Sequence, residues 1–145
     1  MSTFDPDLFM NSQTTEANDT TFAPVPVGTY QAAIAKVEPR LANDKPVLEV
    51  TWNINDQGAR DATGLETPTV RQTIWLDVNA SGGLDNGRGK NVGLGKLRAA
   101  LNQNQAGQPW APGMLIGQPA SIQVTHRNGK EPGQVFAQVG AVTAL

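Results

Sequence analysis

The stretch that decides the fold is residues 69–101, TVRQTIWLDVNASGGLDNGRGKNVGLGKLRAAL. Over residues 69–78 the side chains alternate in character, with Arg71, Thr73 and Trp75 on one side. This period of two predicts a strand that has one face on a core. Residues 79–89 contain four glycines, which predicts a loop.

A short amphipathic helix is predicted after the loop, over residues 91–101. Leu94, Leu97 and Leu101 recur there at helical spacing, so one apolar stripe covers a neighbouring surface. Strands are also predicted before and after this unit, at residues 29–37, 47–55, 118–127 and 134–145. Five strands with one helix between the third and the fourth have the connectivity of an OB-like barrel. We therefore expect a mainly all-β fold with one short helix, a small OB-like β-barrel, and we rank a β-sandwich or jelly roll second.

The second predicted strand has the clearest alternation in the chain. Its even-numbered apolar residues are expected to face the core, while Val47 falls on the outer face: Leu48, Val50, Trp52 and Ile54. The connections are predicted as a turn over residues 39–46 and an exposed loop over residues 56–68. The apolar run at residues 114–116, Met-Leu-Ile, is expected to close one end of the core.

The composition limits the sites that the chain can build. Its 145 residues include 15 Gly and 10 Pro, as expected for one domain of short strands and turns. There is no cysteine and one histidine, His126, which excludes disulfides, thiolate metal sites and His-cluster zinc sites. We expect His126 to be a strand residue and find no catalytic constellation. The chain is therefore not expected to be an enzyme or to need a metal or cofactor, and without a long apolar run we expect it to be soluble and unexported.

Acidic charge is concentrated in the first 26 residues, which we interpret as an extended N-terminal arm ahead of a single domain over residues 27–145. The first 25 residues hold four carboxylates and no Lys or Arg, a charge of −4, whereas the remainder holds eleven basic and nine acidic side chains, a charge of +2. A short helix is predicted at residues 5–10, capped by Asp5 and with Pro6 in its first turn. A domain charge of +2 is not typical of a strong phosphate binder, although weak binding to single strands is compatible with it.

Apolar side chains are spaced through the arm: Phe4, Leu8, Phe9, Met10 and Phe22. One interpretation is a flexible tail, which the polar composition favours. However, three of the four phenylalanines of the chain lie here, and a purely solvated tail has little use for them. We therefore expect the arm to dock on a neighbouring subunit through these side chains.

The Gly-rich loop invites a phosphate-binding interpretation, because such loops ahead of a helix can cradle anions. It does not match a P-loop, since Leu84 stands where that motif requires Gly and Asn91 where it requires Ser or Thr. Two interpretations remain. The loop is either a basic contact loop that uses Arg88 and Lys90 against DNA or an acidic protein surface, or a flexible connection with no ligand.

Trp75 and Arg71 lie on the outward side of the predicted third strand. An exposed aromatic ring beside an arginine on a barrel sheet can stack a nucleic-acid base. The alternative is structural, with Trp75 packed under the arm, the helix or a partner subunit. We favour the structural alternative, because a single-strand groove normally has several aromatic residues and the whole chain has three Trp and one Tyr.

Several short strings carry a resemblance to a known group of proteins. They are Pro-Val-Gly-Thr-Tyr at residues 26–30, Thr-Val-Arg-Gln at 69–72, Gly-Arg-Gly-Lys-Asn-Val-Gly-Leu-Gly at 87–95 and Leu-Arg-Ala-Ala-Leu at 97–101. Together with Phe-Asp-Pro at 4–6 and Leu-Phe at 8–9, they resemble a family of small, mostly uncharacterised proteins of tailed bacteriophages. The resemblance implies a phage origin and carries over no functional residue. Related small phage proteins with a Gly-x-Tyr start are suspected single-stranded DNA binders, and others of this size are capsid decoration or cement proteins.

Two main functions are therefore expected. The first is a virion structural protein, a capsid decoration (cement) protein on the capsid surface that is present in the host cytoplasm during assembly. It would bind the major capsid protein and neighbouring copies of itself, with the arm as a latch. The alternative is a phage single-stranded DNA-binding protein that acts in replication or recombination through Arg71, Trp75, Arg88, Lys90 and Tyr30. An inhibitor or adaptor that targets a host protein ranks third, and no membrane partner is expected.

Overall fold

A single ring of five strands forms the body of the protein. The computed structural model describes residues 3–145, so the first two residues of the predicted arm lie outside the described part. The strands are β1 (Gly28–Ala42), β2 (Lys45–Ile54), β3 (Thr69–Trp75), β4 (Pro119–Asn128) and β5 (Val135–Thr143). They close in the order β1-β2-β3-β5-β4. The predicted OB-like barrel is confirmed, and the sandwich is wrong because one closed sheet contains all five strands.

Short helices occupy the arm and the connections. They are α1 (Pro6–Asn11), α2 (Gln57–Thr63), α3 (Val92–Ala100) and a 3-10 turn (Pro112–Leu115). The predicted helix in the arm is confirmed, since the Asp5 side chain accepts a hydrogen bond from the Asp7 backbone N–H at 2.9 Å. The predicted helix between β3 and β4 is confirmed as α3.

The core fills the barrel and is closed at one end by α3. Every predicted inward residue of β2 is buried, and Trp52 is fully so. Leu94 and Leu97 of α3 are also buried, because their stripe faces the barrel interior. The prediction for residues 114–116 is only partly right. Leu115 is fully buried, whereas Met114 and Ile116 are 47% and 51% exposed, since a single 3-10 turn can direct only one of three consecutive side chains inward.

The β1–β2 hairpin is longer than predicted. The turn expected over residues 39–46 consists only of Asn43 and Asp44, because β1 continues to Ala42 and β2 begins at Lys45. Both turn residues have positive φ, 51° and 64°, which a two-residue hairpin turn requires and which Asn and Asp tolerate. Pro39 does not end the strand, since it pairs with Leu48 in the ladder.

The segment predicted as an exposed loop over residues 56–68 contains helix α2. The Asp56 carboxylate caps it by accepting a hydrogen bond from the Ala59 backbone N–H at 2.9 Å, and Gly64 ends it in the left-handed region with φ 76°. Ala59 and Thr63 are buried. The helix lacks an apolar stripe in sequence, so its two caps are the signals that define it.

Candidate nucleic-acid interface

A groove of about 640 Å³ runs over the outer surface where β3 meets β5. We call it the β3–β5 groove. Its lining comes from both strands, from the neighbouring strands β1 and β2 and from the end of β4. The lining residues are Arg40, Glu49, Thr69, Val70, Arg71, Gln72, Thr73, Trp75, Arg127, Phe136, Ala137, Gln138 and Val139.

The groove exists because β3 and β5 barely touch. They are the one parallel neighbour pair in the ring, and a single register pair, Arg71 with Gln138, joins them among the described residues. All other neighbouring strands form long antiparallel ladders. No further ladder pair joins the two described strands, and the groove is lined by residues of both.

Two aromatic rings lie on the walls of the groove. Trp75, on β3, is 56% exposed, so neither the described part of the arm nor a helix covers it. Phe136, on β5, is 40% exposed, and the Arg127 guanidinium lies 5.0 Å from the centre of its ring. This distance allows a cation–π contact that keeps a positive charge next to an exposed ring. Aromatic faces beside arginines are the groups on which unpaired bases stack.

A cluster of three charged side chains, Arg40, Glu49 and Arg71, is part of the groove lining. The Glu49 carboxylate, whose side chain is 12% exposed, lies 2.7 Å from the Arg40 guanidinium and 3.3 Å from that of Arg71. Arg71 is 74% exposed in its side chain and contacts Glu49 through one terminal nitrogen. Because a guanidinium has five N–H donors, Arg71 keeps donors that point to solvent. The cluster can therefore donate hydrogen bonds to an anion.

Val47 is an apolar residue beneath that cluster. It was predicted to face outward, and it does lie outside the core cluster, yet it is fully buried. Its ladder partners are Arg40 on β1 and Trp75 on β3. Side chains directly opposite one another on a sheet are close enough to cover each other. Trp75 and Arg40 therefore rest on Val47, which fixes their position at one end of the groove.

The cationic residues predicted on the Gly-rich loop do not line the groove. Arg88 is exposed on the loop, and Lys90 lines a separate cavity of about 460 Å³ beside α3. The structure thus brings Arg71 and Trp75 together in one site and places Arg88 and Lys90 outside it. Lys130 extends the groove instead, because it lines an adjoining cavity with Arg127 and Phe136.

The Gly-rich loop is fastened at its base by Asp77 and Asn91. β3 was predicted to reach Val78, but it ends at Trp75, and Val78 forms only an isolated bridge with Leu84. The Asn91 side chain accepts from the Asp77 N–H at 2.8 Å and donates to the carbonyls of Asp77 and Asp85 at 2.8 and 2.9 Å. The Asp77 carboxylate accepts from the Asn91 N–H at 2.9 Å. These bonds explain why the strand stops early, since the chain turns into the loop at Asp77.

Replacing Asn91 with alanine is expected to loosen this loop and destabilise the protein by about 1–3 kcal/mol, because three half-buried hydrogen bonds of its side chain are lost. Alanine at φ 53° is also strained. Limited digestion with trypsin should cut faster after Arg88 and Lys90, and urea unfolding should shift to lower concentration. Asn86→Ala is the matched control, since the Asn86 side chain makes no hydrogen bond within the described chain; equal digestion of both variants would contradict the assignment.

The predicted anchors of the arm all lie exposed. Phe4, Leu8, Phe9, Met10 and Phe22 range from 63% to 78% exposed, and no residue of α1 (Pro6–Asn11) is buried. Phe4 and Phe9 pair with each other, with ring centres 5.7 Å apart. The arm thus presents a small aromatic cluster to solvent and remains available to a partner.

Sequence reasoning did not identify Arg40, Arg127 and Phe136 as site residues. Phe136 is the one phenylalanine outside the arm, and Arg127 precedes the predicted β4–β5 turn. Once an OB-like topology is assumed, that turn belongs at the mouth of the binding face. The topology was therefore the signal that could have placed Arg127 and Phe136 beside Trp75.

Other kinds of site receive no support from the geometry. Within residues 3–145, no three His, Asp or Glu side chains come together in a way that could hold a metal ion. None of the helices in this range has the length and apolar character needed to cross a membrane.

Comparison with known proteins adds no relationship. No protein-family model matches the chain, and the curated proteins contain no match to it either.

Proposed function

We propose that the protein binds single-stranded DNA in the β3–β5 groove and acts in replication or recombination. The observation that supports this most directly is the presence of Trp75, Phe136 and Arg71 in one groove on the outer face of an OB-like barrel. In OB folds, oligonucleotides bind across the face of strands 2 and 3 between the loops that follow strands 1 and 4. The groove borders that face through β3 and through Glu49 of β2. Arg127 lies at the end of β4, and Lys130 lies in the loop that follows it.

Both components of single-strand affinity are present. Trp75 and Phe136 offer exposed rings, and stacking contributes about 1–3 kcal/mol per base. Arg40, Arg71 and Arg127 can each pair with a phosphate. Three such contacts predict a modest salt dependence, with a slope of log K against log salt of about −2.

Single strands fit this surface better than duplexes do. Exposed rings contribute only when a base can leave its stack and lie on them, which duplex DNA prevents. The overall charge of the chain is −2, so the long-range attraction that holds non-specific duplex binders is weak. Binding is therefore expected to prefer unpaired strands.

A fluorescence anisotropy titration tests the proposal. Labelled oligothymidylate at low salt should bind, the affinity should fall as salt rises, and a duplex of equal length should bind more weakly. A flat titration up to tens of micromolar protein would remove the proposal. Equal affinity for the duplex would show that the aromatic rings do not contribute.

Replacing Glu49 with glutamine is expected to tighten oligonucleotide binding about threefold at low salt and to steepen the salt slope by about 0.7, because one carboxylate near the phosphates is neutralised. Glu66→Gln makes the same charge change outside the groove and should have little effect. If Glu49→Gln binds more weakly, the Glu49 carboxylate contributes more to affinity by positioning Arg40 and Arg71 than it costs by repelling the phosphates.

A second candidate function, the capsid decoration (cement) protein, rests on a different observation. The exposed apolar side chains of the arm, Phe4, Leu8, Phe9 and Met10, are suited to burial against the major capsid protein or a neighbouring copy. Repetition over a symmetric shell would strengthen such a latch. Purified virions should then contain this chain, and its absence from mature particles would remove this candidate.

A further inference from the structure

We propose that the β3–β5 groove takes a second ligand, the acidic arm of the same chain, and that single-stranded DNA displaces it. Only the second claim, displacement of the arm by single-stranded DNA, rests on the proposed function. The first claim, docking of the arm in the groove, is argued from the point where the arm leaves the barrel and from the charged and aromatic groups that it carries.

The root of the arm is fixed to the barrel. Val25 is 3% exposed and belongs to the core, and its carbonyl forms a 2.6 Å hydrogen bond with Nε2 of His126 on β4. The Tyr30 hydroxyl donates to the Pro26 carbonyl at 2.7 Å. Burial raises the pKa of Tyr30, with a smaller contribution from the Asp56 carboxylate, so the hydroxyl remains a donor through neutral pH. The arm therefore leaves the barrel at a defined point.

That point lies beside the groove. Asp19 and Phe22 of the arm line a cavity of about 700 Å³ together with Gln134 and Phe136 of the β5 end. Phe136 also lines the β3–β5 groove. The arm thus passes one wall of the groove before it reaches its acidic and aromatic part.

The remaining arm is long enough to cross the groove. Residues 3–18 can span about 40 Å, at about 1.5 Å per residue in α1 and about 3.3 Å per residue elsewhere, whereas a barrel domain of this size is about 30 Å across. A segment tethered at this distance reaches effective concentrations in the millimolar range, so even weak docking is populated.

The arm carries the same two kinds of group as a nucleic acid. Its carboxylates at Asp5, Asp7, Glu16 and Asp19 can replace phosphates on the arginines of the groove, and it has no cation to oppose them. The exposed rings of Phe4 and Phe9 can replace bases on Trp75 and Phe136. The groove lining contains three arginines and one carboxylate, so its net positive charge is complementary to the negative charge of the arm.

One consequence is that the arm lowers the apparent affinity for DNA. A ligand that must displace the arm has to supply both stacking and several phosphates. Mononucleotides, free phosphate and other acidic segments are then poor competitors, and an oligonucleotide is a good one.

Neutralising the arm tests the competition. The double variant Asp7→Asn/Glu16→Gln is expected to bind oligothymidylate about two- to fivefold more tightly at low salt, because arm docking loses half of its charge. The control Asp61→Asn/Glu66→Gln makes the same charge change on exposed residues outside the arm and the groove. Equal affinities of the two variants would overturn the competition.

A spin label tests docking without DNA. The chain has no cysteine, so Gln13→Cys gives one site for a nitroxide label. In the full chain at low salt, the nitroxide should broaden the indole N–H signal of Trp75, assigned with Trp75→Phe, and oligothymidylate or high salt should restore it. An unaffected indole signal would overturn the proposal. Broadening that appears only between labelled and unlabelled copies would place the arm in a second copy and would also overturn it.

The two readouts separate the two claims. If the Trp75 signal broadens but no oligonucleotide binds, the arm docks and the proposed function fails. If the oligonucleotide binds and the signal is unaffected, the function stands and this inference fails.

Discussion

Trp75→Ala is expected to weaken oligonucleotide binding about tenfold to a hundredfold while the barrel remains nearly as stable as before. Loss of one stacking partner costs about 1–3 kcal/mol, and about 1.4 kcal/mol corresponds to tenfold in affinity. Trp75 is 56% exposed and lies outside the core, so its removal uncovers Val47 but leaves no cavity inside the barrel. Anisotropy titration measures the first effect, and urea unfolding measures the second.

Two controls define the result. Trp75→Phe keeps a ring and should retain most of the affinity, whereas Met114→Ala removes an exposed apolar side chain outside the groove and should change nothing. If Trp75→Ala binds as tightly as the unchanged protein, the rings of the groove do not stack bases and the proposed interface is wrong.

Trp52→Ala is expected to have the opposite profile, destabilising the protein by about 3–5 kcal/mol. Trp52 is fully buried on β2, and its indole N–H donates to the Gln72 side-chain oxygen at 3.0 Å. Small domains have about 5–15 kcal/mol of total stability, so the variant is expected to be partly unfolded at 37 °C. Thermal melting followed by circular dichroism measures the change.

The comparison of the two tryptophans makes this prediction specific. Trp52 and Trp75 lie on neighbouring strands, one inside the barrel and one outside. Trp52→Phe should cost less than Trp52→Ala, because a ring still fills most of the space. If Trp52→Ala melts at the same temperature as Trp75→Ala, the arrangement of β2 around the core is wrong.

Much of the barrel follows from patterns that the sequence displays openly. The alternation around Trp52 and around Trp75 places one ring inside and one outside, because side chains on a strand point to opposite faces in turn. The helical spacing of Leu94 and Leu97 identifies α3. Where the patterns end, the predictions fail. β1 extends to Ala42 because it pairs with β2, whereas Pro39 in the sequence suggests that the strand ends earlier. Helix α2 is defined by its two caps and not by an apolar stripe.

The candidate site was only half visible in the sequence. Arg71 and Trp75 are four residues apart on one strand, so the period of two predicts that they lie on the same face. Phe136 and Arg127 come from β5 and the end of β4, about sixty residues further along the chain. Only closure of the barrel brings them next to β3, and no local pattern encodes that closure.

For the Gly-rich loop, the sequence suggested contact residues that the structure places outside the groove. Arg88 and Lys90 draw attention because they stand among glycines, yet the hydrogen bonds between Asp77 and Asn91 direct the loop toward α3 and away from the groove. The interactions that set this direction join residues fourteen positions apart. A local motif search cannot detect them.

The single pair that joins β3 to β5 has a further consequence for this protein. Four of the five strand pairs in the ring are joined by long antiparallel ladders, and the fifth, β3 with β5, is joined by the pair Arg71 and Gln138. The two strands can therefore separate slightly at low cost while the rest of the barrel stays intact. Because the groove lies between these two strands, its width can adjust to bound groups of different size, so if the proposed function holds, we expect binding to tolerate different bases rather than to select one.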